Sequence, residues 1–544
     1  MPAVAMDKPS EDPPAGLTVF VDPAGVRRRT VRIEIVILLI ASMLTSLHCL
    51  YFFNQTCDDG YISLAYARRW VQGRGLSLND VAPSEGYSNL SWVMLLAAGM
   101  KVGLDGVLFA KLLGLGCAVG VSIVGVRLAR QTGGGLWAQL AAGVFIAGAT
   151  PLAAWSVQCL ETSFYTLQVA ALALFAGRLR HTGGRVGFAL TAGVMAITRP
   201  EGLIVAGGLC IFLLILSRRG SGLRQGVIWG LVFLAAVVLV HQVFRLGMFG
   251  RWVGNSTIHK WHPGMVLKLA ERGADRLRLW TSFYWSHPWP LLWAVLAVPM
   301  LGPRTRRRLF ATTALLVATG AFHLLVGGDL GPYFRFLAPT TALIAVLLSR
   351  IGVLAAPWTW TGRILRPTGP ILAMTLGLLG CAQMLQWIPL PSNFYACPSV
   401  TRPTAHADVA DWLRRHAQPG DRVLCSEMGL IPYATDLPCF DYLGLCDRFM
   451  YAPGIQFHPE RYDQFQPAFV VMNVNTLTNG ETVMRLPSQA QMLSQPGFLQ
   501  TFKPAAEFKL DKTRSLMEYG YYGNRPWVRE VRFVIFKRTA PATK

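Results

Sequence analysis

Long apolar runs alternate with short basic stretches over the first 390 residues, and the pattern then changes. Runs near 31–53, 89–104, 106–127, 136–155, 160–178, 186–198, 201–217, 225–246, 288–303, 309–327, 335–350 and 369–390 predict about a dozen membrane spans. Most approach the ~20 residues needed to cross about 30 Å of hydrocarbon. Those at 89–104 and 186–198 are short and read as half-spans or as parts of their neighbours. Three stretches are too polar for a bilayer: 54–88, about 247–287, and the tail from about Pro391. In the tail, "HADVADWLRRHAQPGDRVLCSE" predicts an amphipathic helix, a Pro-Gly turn and a strand. "VREVRFVIFKR" alternates as a strand does. The expected fold class is an α-helical polytopic membrane protein of about 11–13 transmembrane helices, with a soluble C-terminal α/β domain. Residues 1–30 read as a disordered cytoplasmic tail, 31–390 as the membrane domain and 391–544 as the extracytoplasmic domain.

Composition agrees. Of 544 residues, 52% are hydrophobic and only 15% charged, against about 25% charged in a typical soluble domain. The formal net charge of +22 does not require nucleic acid. The basic residues cluster between apolar runs, as in "VRRRTVR" and "RTRRR", which is the signature of cytoplasmic loops; anionic lipid phosphates are a second use for them. Four arginines before the first span place the N-terminus inside and loop 54–88 outside the cytoplasm. Arg127 and Arg130 also read as cytoplasmic, yet counting spans from the first puts them outside. At least one predicted span is therefore not a span. Of ten cysteines, Cys397, Cys425, Cys439 and Cys446 lie in the tail. Export would permit disulfides there, with the pairing open.

The polar loop "CDDGYISLAYARRWVQGRGLSLNDVAPSEGYSNLSW" holds the adjacent carboxylates Asp58 and Asp59, and Glu85 further on. Helical spacing of Ile62, Ala65, Tyr66 and Arg69 predicts a helix lying along the membrane surface. A carboxylate beside apolar surroundings is suited to general-base work, because desolvation raises its pKa toward the working pH. The pair alone fits a solvated loop equally well.

This loop resembles the first-loop signature of integral-membrane glycosyltransferases of the GT-C fold. It is most similar to the branch containing the mycobacterial terminal arabinofuranosyltransferases. "LETSFYTL", "ITRPEGLI", "FRLGMFGRWVGNSTIHK" and "GGDLGPYFRFLAP" follow in the family's order. The third departs from the pattern: Gly254 stands where a proline is usual, and Ser256 separates Asn255 from Thr257. The resemblance implies transfer of a sugar, with arabinofuranose one candidate, from a polyprenyl-phosphate donor to an acceptor hydroxyl of a cell-envelope glycan. It implies a bacterial inner-membrane location with the active site outside the cytoplasm. Asp58 or Asp59 would serve as base, the first being the family's usual one. Arg199, Lys260 and Arg335, with His259 and His262 nearby, would neutralise the leaving phosphate. Glu85, Glu161 and Asn255 complete the expected donor-phosphate and substrate-binding set, and Glu201 is placed to pair with Arg199. No obligatory metal is expected; a divalent cation, if used, would draw oxygen ligands from Asp58, Asp59 and Glu85. The tail resembles the soluble extension of this branch. Alternatives are a protein or lipopolysaccharide glycosyltransferase of the same fold and, in another class, a lipid-linked sugar transporter. A transporter favours mid-helix ionisable groups and repeated halves; this chain places its carboxylates in loops or at helix ends.

Overall fold

The computed structural model describes residues 23–54, 56–255, 303–326, 335–351, 371, 374–375, 378, 405–451, 457–510 and 528–539. Its first part is a helical bundle whose two ends differ in charge. Helix α1 (Pro23–Tyr51) leads to α2 (Asp58–Val71), α3 (Leu90–Lys101) and α4 (Gly106–Gln131). Then come α5 (Leu136–Ala147), α6 (Thr150–Ser156), α7 (Thr162–Ala176), α8 (Thr182–Thr198), α9 (Pro200–Leu216) and α10 (Gly222–Phe249). Helix α11 (Pro303–Val326) and, after a 3-10 turn at Arg335–Thr340, α12 (Thr341–Ile351) complete the described bundle. Among the described residues, α1, α4 and α10 are each long and apolar enough to cross a membrane. Helices α5 and α6 form a fourth such unit, bent by 52° at their break.

The conflict over Arg127 and Arg130 resolves at α3. This helix has 12 residues, too few to span, and it buries Trp92, Val93 and Leu96 within the protein. The predicted span at 89–104 is thus a short packed helix. Helix α4 begins beside Leu64 of α2, where Asp105 caps it by accepting from the Leu108 N–H at 2.8 Å. It ends beside the start of α1, where Arg130 Nη1 meets Glu34 Oε2 at 2.5 Å. The same end gathers Arg178, whose Nε donates to Gln131 at 2.7 Å, and Arg350, whose Nη1 donates to the Gly133 carbonyl at 2.7 Å. Basic residues thus collect at one end, and the acidic loop sits at the other. Of the remaining predicted spans, most of 288–303 and 369–390 lies outside the described residues.

The second part is a mixed α/β unit. Helix α13 (Ala405–His416) precedes β1 (Val423–Cys425), α14 (Leu430–Thr435), β2 (Cys439–Asp441), β3 (Phe469–Leu477), β4 (Thr482–Met484), α15 (Pro487–Leu493), β5 (Phe502–Lys509) and β6 (Val528–Arg538), with short turns of helix between some of them. The strands form one sheet in the order β2-β1-β3-β6-β5, with β4 paired to β3. Strand β1 runs parallel to both neighbours, Val423 standing opposite Cys439 and Phe469; the β3–β6 and β5–β6 pairs are antiparallel. The helix, turn and final strand expected from the tail all form. Cys425, Cys439 and Cys446 are buried free thiols.

The two parts share a core. Leu64 and Tyr66 of α2 and Trp92 of α3 belong to one hydrophobic cluster with Val423, Phe469 and Phe533 of the sheet. Polar contacts follow the same seam. Arg68 Nη1 donates to the Tyr433 carbonyl at 2.6 Å, the Cys439 N–H to the Leu78 carbonyl at 2.9 Å, and Arg422 pairs with Asp80 at 3.0 Å. The amphipathic face of α2, expected to lie on lipid, is instead covered by α3 and by the C-terminal unit.

Candidate functional site

Asp58 and Asp59 occupy the first turn of α2, where the unpaired N–H groups of a helix favour carboxylates. Their side chains part. Asp58 turns to the C-terminal unit, its Oδ1 accepting from the Leu430 N–H at 2.8 Å. Gly429 packs so closely here that a Cβ would lie 2.0 Å from the Asp58 carbonyl oxygen, so only glycine fits. Asp59 stays 62% exposed, with Oδ2 3.8 Å from Arg335 Nη1.

Burial pushes the Asp58 carboxyl up to about 6, while charge on His406 and the Leu430 N–H pull it down. Because the folded-state value lies above the ordinary 3.8, this group's contribution to stability is complete below that value and is lost as pH rises through about 6. Asp58→Asn keeps an oxygen for the Leu430 N–H and removes the titration. Thermal unfolding in detergent between pH 4 and 7 is expected to show a flatter pH dependence for this variant; parallel curves would reject the assignment.

Behind Asp59 lies a buried ion cluster drawn from three separate connections. Glu161 ends the turn after the bent α5–α6 pair, Arg199 joins α8 to α9 as an extended residue before Pro200, and Arg335 opens the 3-10 turn. Arg199 pairs with both Glu161 and Glu201. Arg335 Nη2 meets Glu161 Oε1 at 3.0 Å, and its Nε donates to Thr162 Oγ1 at 3.3 Å. The other oxygen of Glu161 accepts from Asn89 Nδ2 at 2.6 Å, which ties the cluster to the first loop. The Arg335 guanidinium stands 5.5 Å from the Trp155 ring centre, and that of Arg199 5.5 Å from that of Phe336. Glu161 and Glu201 are almost fully enclosed, at 3% and 6% side-chain exposure. One edge of Arg335 is therefore fixed inward while Nη1 faces the exposed Asp59.

The structure thus joins Asp59, Glu161, Arg199 and Arg335, and places Asp58 one residue away at the seam. Glu85 lies apart from the aspartates: Arg245 binds it through both ends, at 2.7 Å from Nε and 2.9 Å from Nη2. Asn255 is buried near Glu85, its N–H donating to the Glu85 carbonyl at 3.3 Å. At Gly254, the departure from the family pattern, a Cβ would lie 3.1 Å from Glu85 Oε2. His259, Lys260 and His262, with Asp329, lie outside the described residues. Among the described residues no group of three or more His, Cys, Asp or Glu side chains is placed to hold a metal ion. Asn89, Trp155, Thr162 and Arg245 were not singled out from the sequence. Only Arg245, a charge at the end of an apolar run, carried a signal.

Comparison with known proteins supports this architecture. A family model described as a domain of unknown function (DUF8728) matches residues 399–527, and no curated protein sequence matches the chain. Among solved structures, the archaeal oligosaccharyltransferase AglB from Archaeoglobus fulgidus, in complex with an inhibitory peptide and a dolichol-phosphate, is similar with a TM-score of 0.55 at 10% identity. The match covers 93% of this chain and 88% of AglB. The mycobacterial arabinofuranosyltransferase AftD gives a TM-score of 0.47 at 15% identity, covering 93% of this chain; the chain spans 41% of AftD's length. ArnT from Cupriavidus metallidurans, bound to undecaprenyl phosphate, gives 0.47 at 14% identity, covering 96% and 99% of the two chains. The chain has the GT-C-type fold of membrane glycosyltransferases, with a sheet-bearing C-terminal unit.

Proposed function

We propose that this protein is a membrane glycosyltransferase that moves a sugar from a polyprenyl-phosphate donor to an acceptor hydroxyl outside the cytoplasm. The observation that carries the reading is the pairing of an exposed carboxylate, Asp59, with a cation, Arg335, whose remaining edge is locked by Glu161. The acceptor hydroxyl loses its proton to Asp59 as its oxygen bonds to the sugar's anomeric carbon. The carbon–oxygen bond to phosphate breaks, and the electron pair leaves with the phosphate. Arg335 faces the charge that develops there, and Glu161 with Asn89 holds it in place. Asp58 positions α2 against the C-terminal unit. The fold likeness to AglB, which binds a dolichol-phosphate, supports a lipid-phosphate partner. The basic residues gathered at the opposite end support an extracytoplasmic site.

An arabinofuranose donor and an envelope-glycan acceptor are the finer reading, resting on the first-loop resemblance. A panel of radiolabelled polyprenyl-phosphate sugars, incubated with membranes containing the protein, tests both levels. One label is expected to move to the envelope fraction. Movement of none rejects transfer, and movement of a sugar other than arabinofuranose rejects the finer reading alone.

A further inference from the structure

The end of the bundle opposite the acidic loop carries a cavity of about 620 Å³, between the last turns of α4 and the connection from α7 to α8. Arg127, Arg130, Gln131, Gly177, Arg178 and His181 line it, and among the described residues no acid does. Membrane topology asks only for basic residues near the ends of spans. Here two separate connections bring them to one place, and packing fixes one of them. Gln131 Nε2 donates to the Leu174 carbonyl at 3.0 Å, and its Oε1 accepts from Arg178 Nε at 2.7 Å. A Cβ at Gly177 would lie 2.0 Å from Gln131 Nε2, so a larger residue there would displace the amide that holds Arg178.

A smaller cavity of about 180 Å³ shares Arg127 and Arg130 with the first. Its other walls include Val31, Ile35 and Leu38 of α1 and Val126 of α4. Val31 and Ile35 are 44% and 51% exposed on a helix apolar and long enough to cross a membrane, so this wall faces lipid. Glu34, its one acid among the described residues, is already held by Arg130 at 2.5 Å. Trp137, 70% exposed, opens α5 at the same end, and tryptophan is enriched where lipid meets water. A cationic cavity thus continues, through two shared arginines, into an apolar groove at the membrane surface.

We infer that the two cavities together bind an anionic phospholipid of the leaflet opposite the acidic loop. Its phosphate sits among Arg127, Arg130 and Arg178, and an acyl chain lies along α1. Arginine grips phosphate oxygens by paired N–H bonds. His181 is the N-cap of the 17-residue α8, and the start of a helix favours negative charge. The apolar groove selects a lipid over a soluble phosphate. This site is separate from the transfer site and stands whether or not sugar transfer is observed.

Native mass spectrometry of the full-length protein in detergent tests it without turnover. The protein is titrated with phosphatidylglycerol and with phosphatidylcholine of the same acyl chains. Phosphatidylglycerol is expected to bind saturably and at least fivefold tighter, because the choline cation offsets the phosphate of the other lipid. Arg127→Gln, at an exposed position, is expected to weaken phosphatidylglycerol binding, and Arg127→Gln/Arg178→Gln to remove the preference. Arg218→Gln/Arg219→Gln is the control. It removes two charges just past the end of α9, at the same end of the bundle but outside both cavities, and is expected to keep the preference. Equal binding of the two lipids, natural binding by the Arg127 variants, or an equal loss in the control would each overturn the inference. So would displacement of phosphatidylglycerol by inorganic phosphate at matched ionic strength, which would assign the cavity to a soluble anion.

Discussion

Asp59→Asn is expected to remove nearly all sugar transfer while leaving the protein folded. The substitution keeps the size and one oxygen of the side chain, and Asp59 Oδ2 stands 3.8 Å from Arg335 Nη1. Little packing is therefore at stake at a position 62% exposed. What is lost is the proton acceptor, and general-base catalysis commonly supplies a factor of about 10² to 10⁴. The loss is expected in kcat, with the acceptor KM changed little, because the proton moves only as the transition state forms. Asp58→Asn is the control. It preserves the bond from the Leu430 N–H and is expected to retain a measurable fraction of wild-type transfer. Initial rates with a saturating lipid-linked donor check both variants. Wild-type rates for Asp59→Asn would sink the assignment of the base. A folded Asp58→Asn protein as inactive as Asp59→Asn would move the role to the first aspartate of the pair.

The loops bearing the candidate site stood out in the sequence because charge is scarce there. In a chain that is 15% charged, an acid or arginine flanked by apolar runs marks a place where lipid is not the solvent. Glu161, Arg199 and Arg335 were visible for that reason. Their mutual pairing was not, since it depends on three connections converging across 174 residues of chain. Glu85 shows the converse. It sits in the same loop as the aspartates and was grouped with them, but its partner is Arg245, 160 residues away. Helix α3 was misread because hydropathy does not distinguish an apolar side chain covered by lipid from one covered by protein. Trp92 and Val93 have no exposed surface, and they face neighbouring helices. The final strand was legible from its alternation. The placing of β1 between β2 and β3 was not, because parallel pairing is set by crossover connections rather than by local pattern. The seam was missed for a related reason: the apolar face of α2 fits a bilayer and a protein surface equally, and only the folded chain shows Val423, Phe469 and Phe533 completing its core.

Glu161→Gln is expected to be the most destabilising single substitution in the site, and the reason lies in how the two arginines are shared. Glu161 accepts from Arg199 and Arg335 on one oxygen and from Asn89 on the other. Its neutral counterpart leaves Arg199 with Glu201 alone and Arg335 with Asp59 at 3.8 Å. Both guanidinium groups are poorly exposed, at 12% and 16%, so water does not replace the lost charge. Removing one partner from such a buried pair typically costs about 3–5 kcal/mol. The added amide N–H groups also point at donors, which leaves Asn89 or an arginine without an acceptor. A lower thermal midpoint in detergent, together with poor recovery from membranes, is the expected result. Adding Arg199→Gln is expected to destabilise less than the sum of the two single changes, because each removes the same interaction. A thermal midpoint for Glu161→Gln equal to that of the natural protein would show that the cluster does not depend on this carboxylate's charge, and Arg335 would then need another anchor to hold its free edge toward Asp59.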